Sequence, residues 1–486
     1  MIIQFLNQLE GANSSISPFL QPPNSPPVLN GVNVSYKLGA VLKDTGYTIV
    51  GSALQANKSI LGLYNFRQTA STQKMLATVD DSSSDDTQLF YSTGGNWTEI
   101  AAAETAWANY ANMKVEMEAF IGYCFFVGYG STDGFLPVAS LTDTTFSTST
   151  NVTSMPQAKY ITRYRDRLYI FNCKYSGTEY GFRCYYSSVP SAGAITWTPA
   201  SDFIDVDYSE AGTGIAEAWD RLLLFTETST TMYDQSFKKK VWDIGGYQRT
   251  IQKHGSFLYF ANSDGVWVST GGNPEPISGN VIDFFRNGDP STWLSALVEE
   301  EYHIYVGTVT VNGRTYTNTL LTFNLPTQSW RWRELGHSIT SLARYLSSGR
   351  QSLWMGDSIG KVYKKGKYTD DTLLSSDNGE SISVDFELAP FYVGNLGFEN
   401  KVAKITAFAD RALGLKLKAR VIDRNSRSLT PYEPLGELKA YVNRFDINVD
   451  DGVLLQISGS ENGTNPYFSF LGVEIEAKPI SEVIQK

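Results

Sequence analysis

The sequence predicts an all-β protein, and three observations predict it. Tyr, Phe and Gly are abundant, at 28, 26 and 41 of 486 residues, a composition that favours strands and turns over helices. No sustained 3.6-residue or heptad pattern is present. And a phrase recurs: "TRYRDRLYIFN", from Thr162 to Asn172, is echoed by "AEAWDRLLLFT", with Asp220 and Arg221 where the first copy has Asp166 and Arg167.

Residues 1–50 read as an extended arm with lead-in strands. "SPFLQPPNSPPVLNGVNVSY" carries too many prolines for a helix and too little apolar surface to fold alone, so it calls for a partner surface. Asn33, Gly39 and Gly46 mark turns around two short strands.

Residues 51–372 carry the repeat. Each unit has a first strand, a tight turn, a strongly apolar second strand and a further hairpin. The turns fall at Gly122, Asp166, Asp220, Gly255, near Glu301 and at Gly349, and an earlier, weaker unit runs from "KSILGLYNF" to "QLFYSTGGNW". The marks lie roughly 35 to 55 residues apart, the spacing of four-stranded propeller blades. The outer halves rhyme as well: Trp97, Trp197, Trp330 and Trp332 each follow a Gly-, Pro- or Ser-rich turn, a hairpin signature. The most apolar patch, residues 119–128, suits a buried strand. The expectation is a β-propeller of about seven blades, six or eight remaining open, with a sandwich of meandering hairpins as the competing architecture.

Beyond the polar stretch "KYTDDTLLSSDNGES", which reads as a linker, residues 373–486 predict an antiparallel β-sandwich. Ile382, Val384, Phe386 and Leu388 alternate inward, Val402, Ile405 and Phe408 come next, and "LKLKARV" sets apolar against basic residues at period two.

The chemistry is sparse. A net charge of −10 argues against a basic nucleic-acid face. "MIIQFLNQLEG" lacks the basic start and apolar run of a secretory signal, and no stretch reaches membrane-span length. Three cysteines make no disulfide framework; Cys173 and Cys184 flank one hairpin tip and could face each other, with reduced thiols the favoured state. His254, His303 and His337 have no metal-ligand spacing and read as structural. The acidic stretches at residues 80–86, 298–302 and 448–452 read as turns and exposed charge, lacking the ligand alternation of a calcium loop. Residues 238–240, with Lys364, Lys365 and Lys367, read as lysines guarding strand edges. No catalytic, cofactor-binding or metal-binding residue is assigned, and an enzyme is not expected. The enzymatic rival is a glycan-binding or glycan-cleaving, sialidase-like propeller, which needs a carboxylate pair at its axis. "YSTGGNW" shares the turn and Trp of an Asp-box hairpin but lacks its aspartate.

The order of parts carries a resemblance. An arm leading to "LNGVNVSYKLGAVLKDTGYT" precedes "YITRYRDRLYIFN…YYSSV…ITWTPASDFIDV" and "GIAEAWDRLLLFTETSTTMYD"; "DGVWVSTGGNPEPIS", "DSIGKVYKKGKYTDD" and the sandwich come after them. This resembles the β-propeller tail proteins of tailed bacteriophages, the nozzle or tail-stabilisation proteins of short-tailed phages. The resemblance implies a structural virion protein of the tail, made in the host cytoplasm. Copies would form a ring, commonly sixfold, that extends the portal–adaptor channel for DNA retention and ejection. Its implied partners are other copies, head-to-tail adaptor proteins, tail fibres or receptor-binding proteins, and DNA that passes without sequence-specific binding; no membrane span is implied. An acidic wall suits such a channel, because a basic one would grip phosphate. Residues 80–86 and 131–153 stand out as insertions, expected to be exposed loops.

Overall fold

The structure is a computed structural model that describes residues 2–6, 11–15, 25–34, 40–69, 72–81, 86–235, 237–286, 288–347, 349–367, 376–392, 398–411, 414–423, 430–439, 441–449, 452–463 and 468–482. It is all-β, with 58% strand and 5% helix. Seven antiparallel units, sheets one to seven, succeed one another along the chain, six of them separate small sheets and the sixth in order part of a larger one. Their first strands are Ile60–Arg67, Lys114–Phe120, Gln157–Tyr164, Gly212–Ala218, Gln252–His254, Leu294–Val298 and Ile339–Ser347. Each first strand turns back into a second, such as Arg167–Tyr175, Arg221–Thr226 or Phe257–Asn262.

The turns explain why the sequence marks are where they are. Two-residue hairpins that match the strand twist need left-handed backbone at one or both central positions. Ile121 and Gly122 have φ of 47° and 81°, Trp219 and Asp220 53° and 56°, Glu299 and Glu300 49° and 65°. The second strands are buried on both faces, with Leu168 to Asn172 and Leu222 to Thr226 covered throughout. That is why they read as unbroken apolar runs rather than as alternations.

Each sheet packs on the next through its own apolar cluster. Trp107, Leu76 and Phe126 join sheets one and two; Phe125, Leu168 and Ile170 join two and three; Tyr169, Ile215 and Leu224 join three and four. Phe225, Trp242 and Phe260 join four and five, and Tyr259 stacks on Tyr302 between five and six. Tyr305, Leu353 and Tyr363 join six and seven, while Ile60, Met75 and Trp354 join seven back to one. The contacts of the first strands follow the same circuit except between sheets four and five, where Gln248–Thr250 intervenes, and Ile339–Ser347 lies against Ile60–Arg67.

The two ends of the chain are sewn into this circuit. Tyr47–Ile49 is the fourth strand of sheet seven, pairing with Val362–Lys365. Val28–Asn30 lies between Ser329–Glu334 of sheet six and Val384–Glu387, so sheet six runs on into a ten-stranded sheet that includes Gly452–Glu461 and Lys416–Asp423. A second sheet, built on Phe398–Arg411, Val442–Val449 and Ser469–Glu482, takes in Ile2–Leu6 and Val41–Lys43. For the described strands among the first fifty residues, the partner surface is supplied by the chain itself; residues 16–24 and 35–39 lie outside the described residues.

Other expectations are corrected. Residues 131–153 are not an inserted loop: Gly134–Phe135, Ala139–Thr142 and Thr145–Ser147 are outer strands of sheet two. Cys173 and Cys184 do not face each other. A bulge between Phe171 and Cys173 turns Cys173 toward sheet two, while Cys184 packs toward sheet four; all three cysteines are free and buried. A bulge between Val402 and Lys404 likewise directs Ile405, Ala407 and Ala409 inward and leaves Phe408 half-buried. Ile382, Val384, Phe386 and Leu388 are all buried as the alternation predicts. The stretch read as a linker ends in a hairpin, Ser376–Asp377 with Glu380–Ser381, whose Asp377 is buried in an ion pair; residues 368–375 lie outside the described residues.

Candidate functional site

Where the seven first strands converge, a short 3-10 helix, Gln248–Thr250, enters between sheets four and five. It carries Arg249 across the convergence. Its Nε donates to Glu116 Oε1 at 3.0 Å and its Nη2 to the Leu61 carbonyl at 2.9 Å, and Nη1 makes a longer 3.5 Å contact with the Thr340 carbonyl. One side chain thus ties sheets one, two and seven from the far side.

Arg249 lines one cavity and Glu116 another, so their ion pair stands between the two. The first, about 410 Å³, opens where the strands begin: Ile60, Lys114, Leu294 and Ile339 are on its wall. The second, about 270 Å³, lies toward the hairpin turns and is walled by Glu116, Glu118, Arg163, Glu217 and Lys253. Lys253 pairs with Glu217 at 2.7 Å. Glu118 keeps part of its surface open to the cavity, yet burial pushes its carboxyl up to about 7 against the pull of Arg163.

A second charged cluster lies where the chain's N-terminal segment meets sheets six and seven. Arg333, 3% exposed, donates to Asp377 at 2.6 Å, to the Thr45 carbonyl at 2.7 Å and to Asp44 at 3.3 Å. Lys365 reaches Asp44 at 3.0 Å. Burial pushes the Asp44 carboxyl up, but Lys365, Arg333 and Arg331 outweigh it and hold Asp44 well below the carboxylate range. Beside it, Arg331 grips both oxygens of Glu301 at 2.8 Å. Every charge here has an opposite within reach, which makes the cluster a clasp rather than a reaction centre.

The residues singled out from sequence fall into place around these features. His303 is buried and bonded to Thr322 at 3.0 Å; burial holds its imidazole down at about 3, so it is neutral. His337 stacks on Tyr363 and His254 precedes the Gly255 turn. Glu299 and Glu300 form the turn of sheet six, and Glu301 belongs to the clasp. Lys238 to Lys240 sit exposed on the edge strand of sheet four; Lys364 is exposed, while Lys365 joins the clasp and Lys367 pairs with Glu299. At residues 80–86, Asp81 and Asp86 approach Glu104 with oxygens within 4.8 Å of one another, and Asp86 accepts from the Asn109 amide; residues 82–85 lie outside the described set, as do 450 and 451. Trp330 and Trp332 are on the return strand of sheet six, and Trp97 bonds the Val50 carbonyl at 2.8 Å. Arg165 and Asp166 are turn residues, but Arg165 also grips Asp220 of the next sheet at 2.6 and 2.9 Å. The sequence does not single out Arg249, Glu116 and Glu118, since isolated charges on a one-turn helix or a short strand carry no spacing signal.

No family model matches the chain, and no curated protein matches it. Among solved structures, it is similar to PorZ of Porphyromonas gingivalis, described as an essential bacterial surface component of the type-IX secretion system. That likeness has 10% identity and a TM-score of 0.38 over 76% of this chain, which spans 44% of PorZ's length. At that level it bears on neither fold nor role.

Proposed function

We propose that the chain is a structural component of a bacteriophage tail: a seven-bladed β-propeller spliced to a β-sandwich, copies of which form a ring around the DNA exit channel. The observation that carries this reading is the ten-stranded sheet running from sheet six through Val28–Asn30 into the sandwich. A ring component must hold its contact surfaces at fixed angles, and a continuous hydrogen-bonded sheet supplies that stiffness. The circuit of seven sheets, closed by Tyr47–Ile49 on the last, supports the propeller. The Arg249–Glu116 pair obstructs the propeller's own axis, so DNA would pass through a lumen between copies and not through a blade ring. Adaptor proteins and tail fibres are the proposed partners of the outer surfaces, and the virion tail the proposed location. No helix among the described residues is long and apolar enough to cross a membrane.

The test is single-particle imaging of the full chain, alone and mixed with a head-to-tail adaptor protein of a short-tailed phage. Sixfold or similar closed rings are expected; a chain that stays monomeric in both mixtures contradicts the reading.

One observation favours a glycan-directed alternative: Glu116, Glu118 and Glu217 line a single axial cavity, and Glu118 is held near neutrality. A general acid needs such a carboxyl. Two of the three are committed to ion pairs, with Arg249 and Lys253, which weighs against it. Hydrolysis of a sialylated or acidic polysaccharide that is lost in Glu118→Gln would establish the alternative.

A further inference from the structure

We propose that the cavity where the first strands begin is a binding site for a small oxyanion of the phosphate class, held between Lys114 and Arg249. Its described wall contains these two cations and no carboxylate. The opposite cavity sets three carboxylates against the cations Arg163 and Lys253, so of the two it is the less favourable to an anion.

The donors are available. Lys114 has three N–H groups and spends one on the Ser291 carbonyl at 3.1 Å. Arg249 commits Nε to Glu116 and one Nη2 hydrogen to Leu61, while Nη1 reaches Thr340 only at 3.5 Å, leaving the guanidinium with donors to spare. Burial and the neighbouring Arg249 both push the Lys114 ammonium down, with Lys159 adding to them and Asp289 and Glu116 opposing. An anion between the two cations would relieve that repulsion. Asp289 offsets part of it, with its Oδ1 accepting from the Ser291 amide at 2.9 Å. Asn112, Thr308 and Ser338 add polar groups around the same space. About 410 Å³ accommodates a phosphate with its waters and excludes a nucleic-acid duplex.

The test is calorimetric titration of the full chain with potassium phosphate near neutral pH, ionic strength held constant with potassium chloride. Saturable one-to-one binding is expected. Lys114→Met should weaken it by about ten-fold, the loss of one charge-assisted hydrogen bond, and Lys253→Met, at the other cavity, should leave it unchanged. Lys114→Gln serves if the first variant does not fold. Absence of saturation, or equal affinity in the Lys114 variants, overturns the proposal. So does a short DNA duplex that displaces phosphate in a Lys114-dependent way, since the ligand would then be a DNA backbone at an outer surface.

Discussion

At the scale of single residues, the charges that matter are those the fold has removed from water. Asp44 is 4% exposed and faces Arg333 and Lys365. Asp44→Asn leaves two buried cations short of a partner, and a loss of about 3–5 kcal/mol is expected in urea unfolding. Its folded-state carboxyl lies below the ordinary value of 3.8, so its contribution is present above that pH and drains away as pH falls below it. Wild type should therefore lose stability more steeply than Asp44→Asn on acidification; parallel curves would remove Asp44 from the clasp. Glu118 behaves in the opposite sense. Its carboxyl is raised from 4.5 to about 7, so as pH climbs through that window the unfolded chain ionises first and folding is penalised. Glu118→Gln should match wild type near pH 4 and gain on it up to pH 8, by at most about 3 kcal/mol. A gap that does not change with pH would mean the carboxyl is not held near neutrality.

At the scale of elements, the turns were legible and the partnerships were not. Gly122, Asp220, Gly255 and Gly349 advertise hairpins because left-handed backbone restricts which residues fit, and in the turn marked by Asp166 it is the preceding Arg165 that takes that conformation. The apolar second strands advertise burial for the same local reason. Nothing local says that Val28–Asn30 bridges sheet six and Val384–Glu387, or that Tyr47–Ile49 completes sheet seven, because those pairings join positions hundreds of residues apart. The bulges at Cys173 and after Val402 were equally silent, and each reversed the face presented by the residues beyond it. Axial Arg249 sat in "GGYQRTIQ" with no pattern around it. The bridge itself can be tested. Gly31 has φ of 66°, and a Cβ there would lie 2.2 Å from the Ser383 carbonyl oxygen, a backbone atom that cannot simply rotate aside. Gly31→Ala is expected to cost about 2 kcal/mol or more, from left-handed strain plus the clash. A melting temperature unchanged by this substitution would show that the splice is looser than the hydrogen bonding of Gly31 to Trp332 and Asp44 implies.

At the scale of the whole molecule, two ideas meet: sheets that close on themselves, and an N-terminal segment that locks the circuit to a sandwich. The first strand of sheet one packs on the first strand of sheet seven, and the last sheet borrows its outer strand from the N-terminal part of the chain. The central claim is that this rigid unit works as one copy in a ring. Particle images of the purified chain, with mass counted per particle, test it most directly. Closed rings of several copies, around a lumen wider than the gap that Arg249 crosses where the first strands converge, are the predicted result. Single copies at every concentration, with and without the adaptor, would contradict it.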